Sequence, residues 1–225
     1  VPQTGINFKY FSPYSKKVLV NIDTREIRNT KIKFDKIIKQ DAKIFLKNLN
    51  KIKLKNNFKN WLITAKKLKK LNEIDPSHYS SRKKVINQYI FLKQLEKLTQ
   101  GNEIYVLDGG GTNVYITYSA LELKKKQLLI QSCSICAMGS GLPEAIGAWS
   151  ANKKNIICLI GDGSFMLNLH ELEVIKHQKM DIKIFVFNND GYNSIRDTQK
   201  DFLNSNFLGS SLKGGLSISN IEKLS

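Results

Sequence analysis

Two short polar clusters, each following directly on an apolar run, hold the residues best able to do chemistry. Gly161-Asp162-Gly163-Ser164 follows the run at 156–160, and Asn188-Asn189-Asp190-Gly191-Tyr192 follows the run at 182–187. A carboxylate and a neutral amide oxygen at the ends of adjacent strands make two corners of an octahedral Mg²⁺ site, because that cation takes oxygen ligands and commonly retains phosphate oxygens from its substrate. The Gly191 carbonyl is a candidate third ligand, with diphosphate oxygens and water completing the shell. The glycines flanking Asp162 let backbone approach a phosphate. Ser164, at the start of the next helix, can donate to it while the helix N-terminus favours the anion.

These clusters meet only if the apolar runs lie side by side. From position 84 the pattern is regular: a helix over 85–98, a strand at 103–107, glycines 109–111, a helix from about Thr112, and a strand at 128–131. A helix at 142–150, a strand at 156–160, a helix at 167–177 and a strand at 182–187 follow. Alternating strands and helices of this length predict an α/β fold, a parallel sheet covered by helices on both faces. Ligands in such sheets sit beyond the carboxyl ends of the strands, where the polar clusters, Asp108 to Asn113 and Met138 to Gly141 all fall. Upstream, a strand at 18–23 and the amphipathic run 42–49, capped by Asp41, predict the tail of a second α/β domain. Residues 1–50 form that tail, 51–83 a Lys- and Asn-rich linker with surface helices, and 84–225 the main domain.

Composition bounds the reading further. At 225 residues the chain can bury a sizeable core, and 41% hydrophobic residues with only 4 Pro exclude collagen and wholesale disorder. The apolar runs are strand-length, far below the ~20 residues of a membrane helix. Three cysteines, Cys133, Cys136 and Cys158, do not make a disulfide framework and suit a reduced, cytoplasmic setting. The opening residues, which begin at Val1, have no signal-peptide pattern and are read as the start of a fragment. The net charge of +17 comes wholly from residues 1–100, with 24 Lys and Arg against 7 Asp and Glu. Those lysines punctuate helix-like runs without an aromatic ladder, so a solvated surface is favoured over nucleic-acid binding.

The motifs also carry a family resemblance. Gly161-Asp162-Gly163, 24 intervening residues, and Asn188-Asn189 resemble the diphosphate-anchoring motif of thiamine-diphosphate-dependent enzymes. MGSGLPEAIGA at 138–148, GDGSFMLNLHEL at 161–172 and NNDGYNSIRDTQ at 188–199 are similar to the acetolactate synthase and pyruvate oxidase branch. The resemblance implies the end of a central domain followed by most of a diphosphate-binding domain. It implies thiamine diphosphate and Mg²⁺ as cofactors, with Asp162, Asn189 and the Gly191 carbonyl on the metal. Gly163, Ser164, Gly110, Gly111 and Thr112 then fall on the diphosphate side. Tyr192 is placed with the cofactor contacts, and Met138 where the family sets a bulky apolar residue beneath the bent cofactor. Cys136 stands where a backbone carbonyl meets the pyrimidine amine.

The resemblance further implies an enzyme that decarboxylates a 2-oxo acid such as pyruvate and transfers the resulting unit. No catalytic residue is assignable in this chain. The active site forms with a pyrimidine-binding domain of the same or another subunit, in a dimer or tetramer. FAD is left to the remainder of a complete enzyme, since no residue of this segment supports it. The competing readings are another 2-oxo acid decarboxylase or lyase of the same family, a non-catalytic or nucleic-acid-binding interaction protein using the basic first half, a nicotinamide enzyme, and a redox or zinc role for Cys133 and Cys136. His170 and His177 are expected on one helix as surface or packing residues. Arg196 and Gln199, one helical turn apart, fit substrate binding and structural capping equally.

Overall fold

The computed structural model describes residues 14–22, 34–52, 58–71, 73, 75, 78–79, 85–132, 137–152 and 155–224, which group into two compact units divided after position 72. In the first, strand β1 (Val18–Val20) pairs in parallel with β2 (Lys36–Ile38), placing Val18 opposite Lys36 and Val20 opposite Ile38. Helix α1 (Ala42–Leu49) begins where expected, because the Asp41 carboxylate accepts the N–H groups of Lys43 (2.9 Å) and Ile44 (3.2 Å). Helix α2 (Lys59–Leu71) occupies much of the stretch read as linker and surface helices, and Lys66, Lys67, Lys69 and Lys70 are exposed on it.

The second unit is built on a four-stranded parallel sheet, order β4-β3-β5-β6. Its strands are β3 (Ile104–Asp108), β4 (Leu128–Ile130), β5 (Ile156–Gly161) and β6 (Ile182–Phe187). Period-two alternation divides the central strands between two cores. Ile104, Val106, Ile156, Cys158 and Ile160 pack with Leu142, Ala145 and Ala148 of α5 (Gly141–Asn152). Tyr105, Leu107, Ile157 and Leu159 pack on the other face with Leu92 and Leu95 of α3 (Gln88–Leu98) and Ala120 of α4 (Gly110–Ala120). Both faces of β3 and β5 are therefore dry, which is why these strands read as continuous apolar runs.

Strand β3 is followed by α4 on one face, whereas β5, its neighbour, is followed by α6 (Asp162–Leu167), whose Phe165 packs in the core of the opposite face. The carboxyl ends of these two strands therefore open a crevice at the switch in strand order. Gly109 lies at its apex in a left-handed conformation, φ +108°, where an added Cβ would stand 2.3 Å from the Gly161 nitrogen. Only glycine fits there.

The expected elements of the second unit are present, with four shifts, the first being that helix α3 starts at Gln88 rather than at 85. Helix α4 starts at Gly110 rather than Thr112. The helix expected over 167–177 is two: α6, a turn at 168–170, and α7 (Glu171–His177). His170 lies in that turn, so it does not share a helix with His177. A further helix, α8 (Asn193–Phe202), follows the second polar cluster. Among the described residues no helix is long and apolar enough to cross a membrane.

Candidate cofactor site

The site takes shape from the buried Asp162, 2% exposed at the start of α6. Its Oδ1 accepts the Gly163 N–H (2.7 Å), and its Oδ2 accepts those of Asn189 (3.1 Å) and Gly191 (2.9 Å). One carboxylate thus ties the loop after β5 to the loop after β6. An ionised carboxylate has about four lone-pair sites, and three are filled by these N–H groups, which leaves acceptor capacity on Oδ1 for a cation. Asn189 and Gly191, which also line the cleft, carry a side-chain amide oxygen and a backbone carbonyl, the oxygen ligands Mg²⁺ takes. The residues present fit the group the motif implies.

A cleft of about 260 Å³ is lined by Asp162, Gly163, Ser164, Asn189, Gly191, Tyr192, Met138 and Gly110, together with Gly109 and Gly161. The structure thus brings together eight of the eleven residues selected from the sequence. Gly111 and Thr112 lie in the first turn of α4, and Cys136 lies outside the described residues, as does Cys133. Glycine at 163 has a steric reason: a Cβ there would meet the Tyr192 ring at 2.4 Å, with Met138 Cε at 3.5 Å. Tyr192 and Met138 flank the backbone that faces the cleft.

Ser164 plays a different part from the one its type suggests. Its hydroxyl donates to Asp108 Oδ1 (3.1 Å), while Asp108 Oδ2 accepts the N–H groups of Gly139 and Gly141, both at 2.9 Å. What Ser164 keeps for the cleft is backbone. Asp108 therefore fixes the turn that carries Met138, and Asn168 Nδ2 secures the same turn by donating to the Gly139 carbonyl (2.8 Å). Asn113 holds the two strand ends from behind, donating to the Asp108 (2.7 Å) and Leu159 (3.1 Å) carbonyls.

Asp108, Asn168 and the lining residues Asn193, Ser194 and Ile195 were not singled out from sequence. For Asp108 a signal existed, a lone acid closing an all-apolar strand. The α8 residues lay inside the block 188–199 that carries the family resemblance, without being picked individually. Arg196 and Gln199 turn out to hold backbone: the guanidinium donates to the carbonyls of Asn189, Asp190 and Ser210, and Gln199 Nε2 to that of Leu208. Cys158 is fully buried, and burial, reinforced by the charges of Asp108 and Glu144, pushes its thiol up to about 12, so it is inert packing. Burial also raises the Glu144 carboxyl, against a hydrogen bond with Ser140 and with a further push from Asp108.

The comparisons agree with this geometry. Residues 108–224, more than half of the chain, match the family described as "Thiamine pyrophosphate enzyme, C-terminal TPP binding domain". The chain belongs to the thiamine pyrophosphate enzyme family, on its acetolactate synthase-like side. It is 32% identical over 215 residues to the acetolactate synthase large subunit of Cyanidium caldarium, covering 91% of this chain and 35% of that protein. It is 31% identical over 185 residues to the acetolactate synthase large subunit of Lactococcus lactis, covering 81% and 31%. The chloroplastic acetolactate synthase of Arabidopsis thaliana is 30% identical over 210 residues, covering 88% and 31%. The chain spans about a third of the length of the curated relatives it matches.

Proposed function

We propose that this chain forms the diphosphate- and Mg²⁺-holding side of a thiamine-diphosphate site in an acetolactate synthase-like enzyme, one that decarboxylates a 2-oxo acid such as pyruvate and transfers the resulting unit. The observation that carries the proposal is Asp162, a buried carboxylate with a free acceptor site, locked to the Asn189–Gly191 loop and facing a glycine-lined cleft. Asp162 and Asn189 hold the cation through side-chain oxygens and Gly191 through its carbonyl. The backbone of Gly110, Gly111, Thr112, Gly163 and Ser164 surrounds the diphosphate. Met138 and Tyr192 wall the cleft where the organic rings extend, and the Cys136 carbonyl receives the pyrimidine amine.

Thiamine diphosphate, when bound, supplies the electron sink for decarboxylation. The chain's own work is to orient it, to neutralise the diphosphate, and to keep the cleft floor dry with β3 and β5. A pyrimidine-binding domain, from the same or another subunit of a dimer or tetramer, supplies the remaining wall and the activating carboxylate. In this reading residues 1–50 close a central domain, 51–83 link it, and 84–225 are the diphosphate-binding domain of a cytoplasmic enzyme. FAD is left to the remainder of a complete enzyme.

The test is pyruvate consumption by the chain alone and after addition of the pyrimidine-binding domain of a similar acetolactate synthase. The expected result is no turnover alone and Mg²⁺-dependent CO₂ release on addition. Turnover by residues 1–225 alone would show that the site is already complete and refute the shared-site proposal.

A further inference from the structure

The loop that presents Asn189 and Gly191 has one bond of its own, the Asp190 N–H donating to Asn188 Oδ1 (3.1 Å), and is otherwise held from outside. Asp190 has φ +60° and Gly191 φ +124°, and the left-handed region is disfavoured for a residue with a Cβ. From the N–H side the loop is held by Asp162, which accepts from Asn189 and Gly191. From the carbonyl side it is held by one guanidinium. Arg196 Nη1 donates to the carbonyls of Asp190 and Ser210, both at 3.0 Å, and Nη2 donates to the Asn189 carbonyl (2.9 Å) and Asn193 Oδ1 (3.2 Å).

The second strand of this grip is equally defined. The Ser210 carbonyl also accepts the Tyr192 N–H (3.1 Å), and Gly191 and Ser211 form an antiparallel bridge. The buried Gln199, one turn further along α8, donates to the Leu208 carbonyl (2.9 Å) and accepts from the Ser210 hydroxyl (2.5 Å). The planar fork divides these acceptors between two nitrogens fixed in one plane, whereas an ammonium would have to reach them from a single point.

We propose that Arg196 is the positioning residue of the metal loop, setting Asn189 and Gly191 in place for the cation without touching substrate or cofactor. Four of its N–H directions are spent on the loop, its bridge partner and Asn193, so substrate binding is not its task. The inference rests on the metal-site reading of Asp162, Asn189 and Gly191.

Amide hydrogen exchange and Mg²⁺-dependent binding of thiamine diphosphate, followed calorimetrically on the whole chain, test it together. In Arg196→Ala, the amides of 189–191 exchange about tenfold faster or more, the loss of about one charge-assisted hydrogen bond, while those of β5 are unchanged. The Mg²⁺ concentration for half-maximal binding rises about tenfold by the same reasoning. Arg196→Lys fails to restore either quantity, and added guanidinium ion restores binding in Arg196→Ala in part. Unchanged loop exchange in Arg196→Ala, or full restoration by lysine, overturns the inference. Asp162→Asn separates the two levels. If it abolishes the Mg²⁺ dependence while Arg196→Ala leaves it at the wild-type value, the Arg196 inference alone fails; if Asp162→Asn leaves it intact, the metal-site reading fails and the inference with it.

Discussion

Asp108 shows how much of the site is carried by residues that never face the cleft. Its buried carboxylate satisfies the N–H groups of Gly139 and Gly141 and the Ser164 hydroxyl, tying the Met138 turn to the start of α6. Asp108→Ala leaves two buried N–H donors without an acceptor, each worth about 1–3 kcal/mol, so urea unfolding should show a loss of about 2–6 kcal/mol. Asp108→Asn keeps an acceptor and should lose less. Equal losses in the two variants would mean that packing, not acceptance, is what the residue provides. At this scale the sequence was most legible where chemistry requires one residue type. Asp162, Asn189 and Gly163, selected from the sequence for their types and spacing, all line the cleft. Ser164 lines the cleft as well, and its hydroxyl bond to Asp108 had no local signature, because only the fold sets Asp108 beside it.

Elements were legible in proportion to their burial. Strands β3 and β5, dry on both faces, are unmistakable apolar runs, and the parallel sheet follows from them. Helix α8 was missed as an element because its sequence, NSIRDTQKDF, is mostly polar; Arg196 and Gln199 are spent on backbone carbonyls instead of an apolar core. The break between α6 and α7 was hidden for another reason: Asn168 leaves the helix to reach the Gly139 carbonyl, a tertiary contact with no local signature. A different contact sets the entry to β3. Glu103 is buried, which would raise its carboxyl, but hydrogen bonds from Gln127 and from the N–H groups of Gln100 and Gly101 outweigh this and hold it at about 2, below the ordinary 4.5. With the folded value below the unfolded one, this carboxylate stabilises the fold fully above about pH 4.5, and the contribution is lost as pH falls toward about 2. Glu103→Gln should therefore flatten the decline in the urea midpoint from about pH 5 to about pH 2.5. A variant that declines as steeply as the wild type would contradict the assignment.

At the scale of the molecule, the two compact units carry different signatures. The basic excess lies in residues 1–100, where the described α2 lysines are exposed, while the sheet and the cleft lie beyond position 100. The family match begins at Asp108, the residue that closes β3, and runs through the α8 region to position 224. Sequence and geometry thus agree on where the cofactor side of the enzyme resides.

The most direct test of the central claim is calorimetric titration of thiamine diphosphate into the chain with Mg²⁺ and with chelator, for the wild type and Asp162→Asn. The account predicts saturable binding that requires Mg²⁺, is lost in Asp162→Asn, and is absent for thiamine lacking the diphosphate. Binding that survives the chelator or the substitution, or no binding by the wild-type chain at millimolar Mg²⁺, would contradict it.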